Sequence, residues 1–219
     1  MTIKNDLESV WEQREEVIYP HLFGDKLRGI FVLEPDLFLK TFGQDNVDPR
    51  WLHCGVIEHG PSKRGTYFYI TSGASNPWEV EPENYQKSEY SGFGTEIVLE
   101  SPEPADWPIL IVQRLLAFNI LLAHGRLGGS EPLDYWHRVP LGGSIVGTSA
   151  LTHMLIAPPD GYEAQFSLAS GKVDLLHAVG ITEQERDYAK ANGSAALLVL
   201  LKSTGGFPVT DPGRRSVVE

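Results

Sequence analysis

The chain has 219 residues, 42% hydrophobic content and a formal net charge of −11, so disorder is excluded as a default and a folded core is within reach. Such an acidic balance argues against nucleic acid as partner, because phosphate binding needs a concentrated lysine and arginine face; it suits a basic protein partner, or plain solubility. A single cysteine, Cys54, excludes an internal disulfide and a thiolate-cluster metal site, and the charges from Lys4 to Glu16 are unlike a secretory leader. A cytoplasmic protein with no membrane partner is expected.

The first element is an amphipathic helix. Asn5 and Glu8 have the spacing of an N-cap and its N3 partner, and Leu7, Val10, Trp11, Val17 and Ile18 share one face. Pro20 and Gly24 close it. Residues 29–33 form a short apolar run read as a strand, and 35–42 fit either a short helix or a loop. Residues 51–59 and 66–71 read as paired strands joined by a hairpin-sized loop at 60–65. On the second strand Tyr67, Tyr69 and Thr71 share one face, while Phe68 and Ile70 share the other. Turn chemistry fills 72–78. An acidic surface loop follows, carrying Glu79, Glu81, Glu83 and Glu89 with Tyr85 and Tyr90 projecting from it.

The stretch 91–122 organises the rest. A glycine-rich lead-in precedes a strand over 95–99, and Pro102 and Pro104 turn the chain. Asp106 is placed to cap a helix opened by Trp107 and Pro108, and from Ile109 to Leu122 that helix is apolar nearly all round, so it is expected to be buried on most sides. Residues 126–147 form a long glycine-rich loop holding Tyr135, Trp136 and His137, the kind of loop that often carries function. Strands are predicted over 151–157 and 173–181, the second buried on both faces. Thr182 and Glu185 form a capping box for a helix ending near Asn192 and Gly193. Residues 195–202 suit a further helix or, given their leucines and valine, a strand. Strands and helices mix without a regular βαβ rhythm, which gives one α+β domain.

No pattern reads as an active site, and no cofactor or metal is implied. The seven histidines are scattered, with no HExxH spacing; His53 and His59 could share a strand face. No GxSxG elbow is present, and the SGFG run precedes a strand without a phosphate-loop lysine. Cys54 has no basic neighbour to activate it and reads as a buried inert thiol. The alternative is a small hydrolase or metal-dependent enzyme with an unrecognised site, for which His53, His59 and His137 are the residues to substitute.

Several runs together resemble the Suppressor of fused family at its N-terminal domain. They are YITSGAS at 69–75, SGFGTE at 91–96, Trp107 with Pro108, LLHAVGIT at 175–182 followed by Glu185, and, near the end, Gly205, Gly206, Thr210, Asp211, Arg214 and Arg215. The resemblance implies one domain over residues 1–219, with a central mixed β-sheet flanked by helices, and a binding role without chemistry. Animal members clamp a transcription-factor peptide that adds as a strand between two domains. This chain matches only the first of those domains, and it is more similar to bacterial single-domain relatives that look like immunity proteins encoded beside toxins. The implied partner is therefore a basic toxin domain or an extended peptide. Tyr69 corresponds to a tyrosine on the family's peptide-binding side. The expected partner-binding set is Tyr67, Tyr69, Ser75, Trp78, Glu79 and Glu81; the same aromatics would equally serve a core.

Overall fold

The computed structural model of the chain describes residues 7–129 and 131–218. Eight strands form one mixed sheet in the order β1-β2-β3-β4-β8-β6-β5: β1 (Lys26–Val32), β2 (Gly55–His59), β3 (Tyr67–Ser72), β4 (Tyr90–Ser101), β5 (Arg138–Pro140), β6 (Leu151–Ala157), β7 (Gln165–Leu168) and β8 (Gly171–Thr182). β7 pairs with the first residues of β8, beside β6. Among these named strands only the central β4–β8 pair is parallel. Helices α1 (Leu7–Glu12), α2 (Tyr19–Phe23), α3 (Pro35–Phe42), α4 (Trp107–Ala123), α5 (Glu183–Asn192) and α6 (Ser194–Thr204) cover both faces. This is the predicted α+β architecture.

Side-chain alternation along the strands divides the interior. Tyr69, Ile97, Leu99, Leu176 and Ala178 point to the face covered by α4, where Val112 and Leu115 meet them. Phe68, Ile70, Val98 and Leu175 point to the opposite face, under Val10, Tyr19 and Phe23 of the N-terminal helices. On that same face Leu155, Val179 and Ile181 pack against Leu197 and Leu201 of α6. The middle of the sheet is covered on both sides, which is why β2, β3 and β8 are buried almost throughout.

Local signals place several elements as predicted. α5 opens with the Thr182–Glu185 capping box, both reciprocal bonds being made. α4 is buried along most of its circumference and ends before Gly125. Residues 35–42 and 195–202 resolve as helix.

Other predictions are corrected. The N-terminal helical stretch passes through Pro20 to Phe23, with a wider π-turn at Gln13–Ile18 between α1 and α2. That turn shifts the buried face, so Arg14 and Tyr19 point inward while Val17 is 63% exposed. The proposed Asn5 cap lies outside the described residues. Trp51 and His53 are not in a strand, because Pro49 opens a short 3-10 helix (Pro49–His53) whose Asp48 side chain accepts from the Arg50 amide. Asp106 makes no capping bond; its carboxylate pairs with Arg28 of β1 at 2.8 Å instead. β4 begins earlier than the predicted strand and carries a register shift between Tyr90 and Thr95. The short β5 and β7 were not anticipated. Among the described residues no helix is long and apolar enough to cross a membrane.

Candidate functional site

The site grows from the turn after β3, residues 72–78. Its polar groups are buried and must find partners within the protein. Glu96 of β4 supplies most of them: its carboxylate accepts from the Gly73 amide at 3.1 Å, the Ser75 amide at 2.9 Å and the Ser75 hydroxyl at 2.6 Å, and from the Thr71 hydroxyl. Arg14 faces it from the π-turn, 3.7 Å away, and donates to Ser72 Oγ, Ser75 Oγ and Asn76 Oδ1 at 2.7–2.9 Å. Burial works against the Arg14 charge, but Glu96, Tyr19 and Glu15 outweigh it and hold the guanidinium above its ordinary value. A buried pair of opposite charge that accepts from or donates to Thr71, Ser72, Gly73, Ser75 and Asn76 fixes this turn in one geometry.

The lead-in to β4 packs directly on that turn. Phe93 donates its amide to the Ala74 carbonyl at 2.8 Å, and the Ser91 hydroxyl donates to the Ser75 carbonyl at 2.6 Å. Gly92, at φ +57°, has no room for a side chain: an added Cβ would lie 2.5–2.7 Å from the backbone of residues 74–76. Gly73, at φ +125°, sits as close to Cys54. Gly92 therefore serves close approach of two backbones, and Gly73 leaves room for Cys54.

Between these loops lies a cavity of about 150 Å³, walled by Trp51, Trp78, Tyr90, Phe93 and His124, with Asn76 and Val80 also lining it. The rings support one another. Trp51 and Phe93 stand 4.8 and 5.5 Å from His124, and Trp78 is held edge-on by Trp11 at 6.4 Å, with His53 at 6.1 Å on it as well. Trp11 Nε1 also donates to Asn76 Oδ1 at 2.9 Å, tying α1 to the turn. At the rim Arg50 bridges Asp48 and Glu79. Beyond Val80 the chain runs through exposed Glu81, Glu83 and Glu89, none of which makes an ion pair among the described residues.

Of the predicted binding residues, Trp78 and Glu79 line this cavity, and Glu81 is exposed one residue beyond Val80. Ser75 lies beneath it, fully buried in the Glu96 network. Tyr67 is half-buried at the far end of β3, opposite Ser101. Tyr69 is fully buried against α4, donating to Glu58 at 3.3 Å and accepting from the Ala105 amide at 2.8 Å. It offers no side-chain surface to a partner in this structure. The alternation that put Tyr69 on one strand face did not say that both faces are covered.

The residues weighed for an enzyme are dispersed. His59 is buried beside Tyr19 and Phe23 with Nδ1 on the Gly24 carbonyl, His53 lies tilted against Trp78, and His137 Nδ1 accepts from the Asp134 amide. Among the described residues no three histidine, cysteine, aspartate or glutamate side chains gather where they could hold a metal ion. Cys54 is buried, and burial pushes its thiol up to about 12, away from reactivity. His177 is fully buried between the Tyr162 hydroxyl at 2.7 Å and the Pro208 carbonyl at 2.8 Å, and burial pushes it down to about 4.

Sequence reasoning missed Arg14, Trp11, Trp51 and Asn76. Trp11 and Arg14 lie three residues apart on a helix, the spacing that puts two side chains on one face, and that pairing was the available signal.

A family model described as Suppressor of fused protein (SUFU) matches residues 50–215. No curated protein sequence matches significantly. Solved structures of similar fold include the following three. A protein from Neisseria gonorrhoeae FA 1090 described as a SUFU homologue is 16% identical, with 97% of this chain and 96% of that one covered and a TM-score of 0.62. The Sufu-Fu complex gives 20% identity, 96% and 91% coverage and a TM-score of 0.65. Drosophila Suppressor of Fused gives 19% identity and a TM-score of 0.60, with 84% of this chain and half of that one covered.

Proposed function

The chain belongs to the Suppressor of fused family, and from that premise we propose that it is a non-catalytic protein-binding module, one domain over residues 1–219, that acts as an immunity protein by masking a basic toxin. One observation carries the reading. An aromatic cavity opens beside a run of exposed carboxylates, of which Glu81, Glu83 and Glu89 make no ion pair among the described residues, so that apolar anchoring and charge attraction sit together. The net charge of −11 adds a long-range field of the same sign, favouring a basic partner. One similar structure is that of a Sufu-Fu complex, which supports a protein as the class of partner. Toxin domains that act on nucleic acid must be basic to bind it, and an acidic rim competes for that same surface.

The test is co-expression. The tagged protein is used to capture its partner from its native cells, and the captured protein is then produced with and without this chain. Growth arrest relieved by the wild-type chain, but not by a Glu79→Lys, Glu81→Lys, Glu83→Lys variant, is the expected result. Capture of no protein, alongside a tightly held metal or small molecule, would overturn the reading in favour of an enzyme.

A further inference from the structure

We propose that the cavity beside Trp78 receives a single tyrosine ring from a lysine- or arginine-rich segment of the partner, a proposal that rests on the protein-binding reading of this face. A cavity of about 150 Å³ with apolar walls is the size that admits a benzene-sized ring. Trp51, Trp78, Tyr90 and Phe93 offer ring faces and edges to an incoming aromatic group. The pocket is already built, because Trp11 and His53 hold Trp78 and the Glu96 network holds the turn beneath it. Little ordering is left for a ligand to impose.

Charge selects the flanks of the segment. Val80 and Tyr90 line the cavity, and the next residues outward in the chain, Glu81 and Glu89, are exposed carboxylates without ion pairs among the described residues. Glu83 adds a third, against the lone cation Lys87 within residues 79–89. Cationic side chains on either side of the anchored ring meet these groups.

Asn76 selects the ring itself. Its Oδ1 accepts from Trp11 Nε1 and Arg14 Nη1, each at 2.9 Å, which fixes which end of the amide is oxygen. Its Nδ2 is then a buried donor with no partner among the described residues, on a residue that lines the cavity. A phenol oxygen can accept from it and a phenyl ring cannot, so tyrosine is preferred to phenylalanine.

The experiment titrates the whole protein with three capped pentapeptides, Lys-Lys-X-Lys-Lys with X as tyrosine, phenylalanine or alanine, followed by tryptophan fluorescence and by amide shifts. The tyrosine peptide should bind about tenfold more tightly than the alanine peptide, with the phenylalanine peptide between them. Val80→Trp, at a position 45% exposed and so tolerant of substitution, should close the mouth and bring the tyrosine peptide to the alanine level. Asn76→Asp keeps the acceptor for Trp11 and Arg14 but removes the donor, and should erase the tyrosine-to-phenylalanine preference. Equal affinity for the tyrosine and alanine peptides, or a preference that survives Val80→Trp, would overturn the proposal. If that occurs while the charge-reversed chain still loses its native partner, the ring pocket fails and the protein-binding reading stands. A retained tyrosine preference with no partner protein captured would sustain the pocket and sink the wider reading.

Discussion

Residues 72–78 and 79–89 are consecutive in the chain and are held by opposite physics. In the first, every residue up to Pro77 is buried, and Arg14 and Glu96 complete most of the hydrogen bonds. In the second, most residues are exposed, and the carboxylates of Glu81, Glu83 and Glu89 make no ion pair among the described residues. Trp78 is the joint between them, half-buried and clamped by Trp11. A rigid turn next to a solvated acidic loop can separate two tasks: the turn fixes the geometry of the cavity, and the loop sets the charge that a partner meets on approach. Stability should follow the first region, and association kinetics the second.

The largest effect should come from cutting the network. Arg14→Ala leaves Glu96 buried without its counter-charge and should cost about 3–5 kcal/mol in urea denaturation. A loss under about 1 kcal/mol would mean that the turn does not depend on the pair. Tyr69→Ala should cost a similar amount, about 3–5 kcal/mol, since it removes a fully buried ring and both of its hydrogen bonds. Its remaining folded fraction should bind partner as well as wild type does. A binding defect in fully stable Tyr69→Ala protein would return Tyr69 to the interface.

His177 extends the comparison to pH. Its folded value lies near 4 because of burial, against an ordinary value of 6.5, so between those limits the unfolded chain binds the proton that the folded chain refuses. Stability from this residue is therefore complete above about pH 6.5 and falls as pH drops toward 4, by about 3 kcal/mol in all. His59, also held below its ordinary value by burial, adds a loss of the same sign. A His177→Gln variant should show a flatter acid limb in stability against pH; an unchanged limb would assign the loss elsewhere. The smallest effect on stability belongs to the acidic loop. Reversing Glu79, Glu81 and Glu83 to lysine should shift unfolding by less than about 0.5 kcal/mol, as surface substitutions do.

The legible parts of the fold carried short-range signals. The Thr182–Glu185 capping box, the apolar run of α4 and the strand at Leu151–Ala157 each announce themselves within a few residues. β7 did not, since four residues in a hairpin with β8 leave almost no periodicity to read. Trp51 and His53 alternated like a strand, but Asp48 and Pro49 just ahead of them started a helical turn. Of the candidate cavity, Trp78 and Glu79 were legible, standing out as aromatic and acidic. Its base was illegible. Arg14 sits in a polar stretch, and only the π-turn brings it into the core opposite Glu96, a contact across 82 positions of sequence that no local pattern records.

The most direct measurement is the association rate of this chain with its captured partner as ionic strength is raised, for the wild type and for the chain carrying lysine at 79, 81 and 83. Steering by the acidic loop predicts a wild-type rate that falls steeply with salt, and a variant rate about tenfold lower at low salt and nearly flat. Coincident rate curves for the two proteins would contradict it, and would remove the acidic loop from the binding surface.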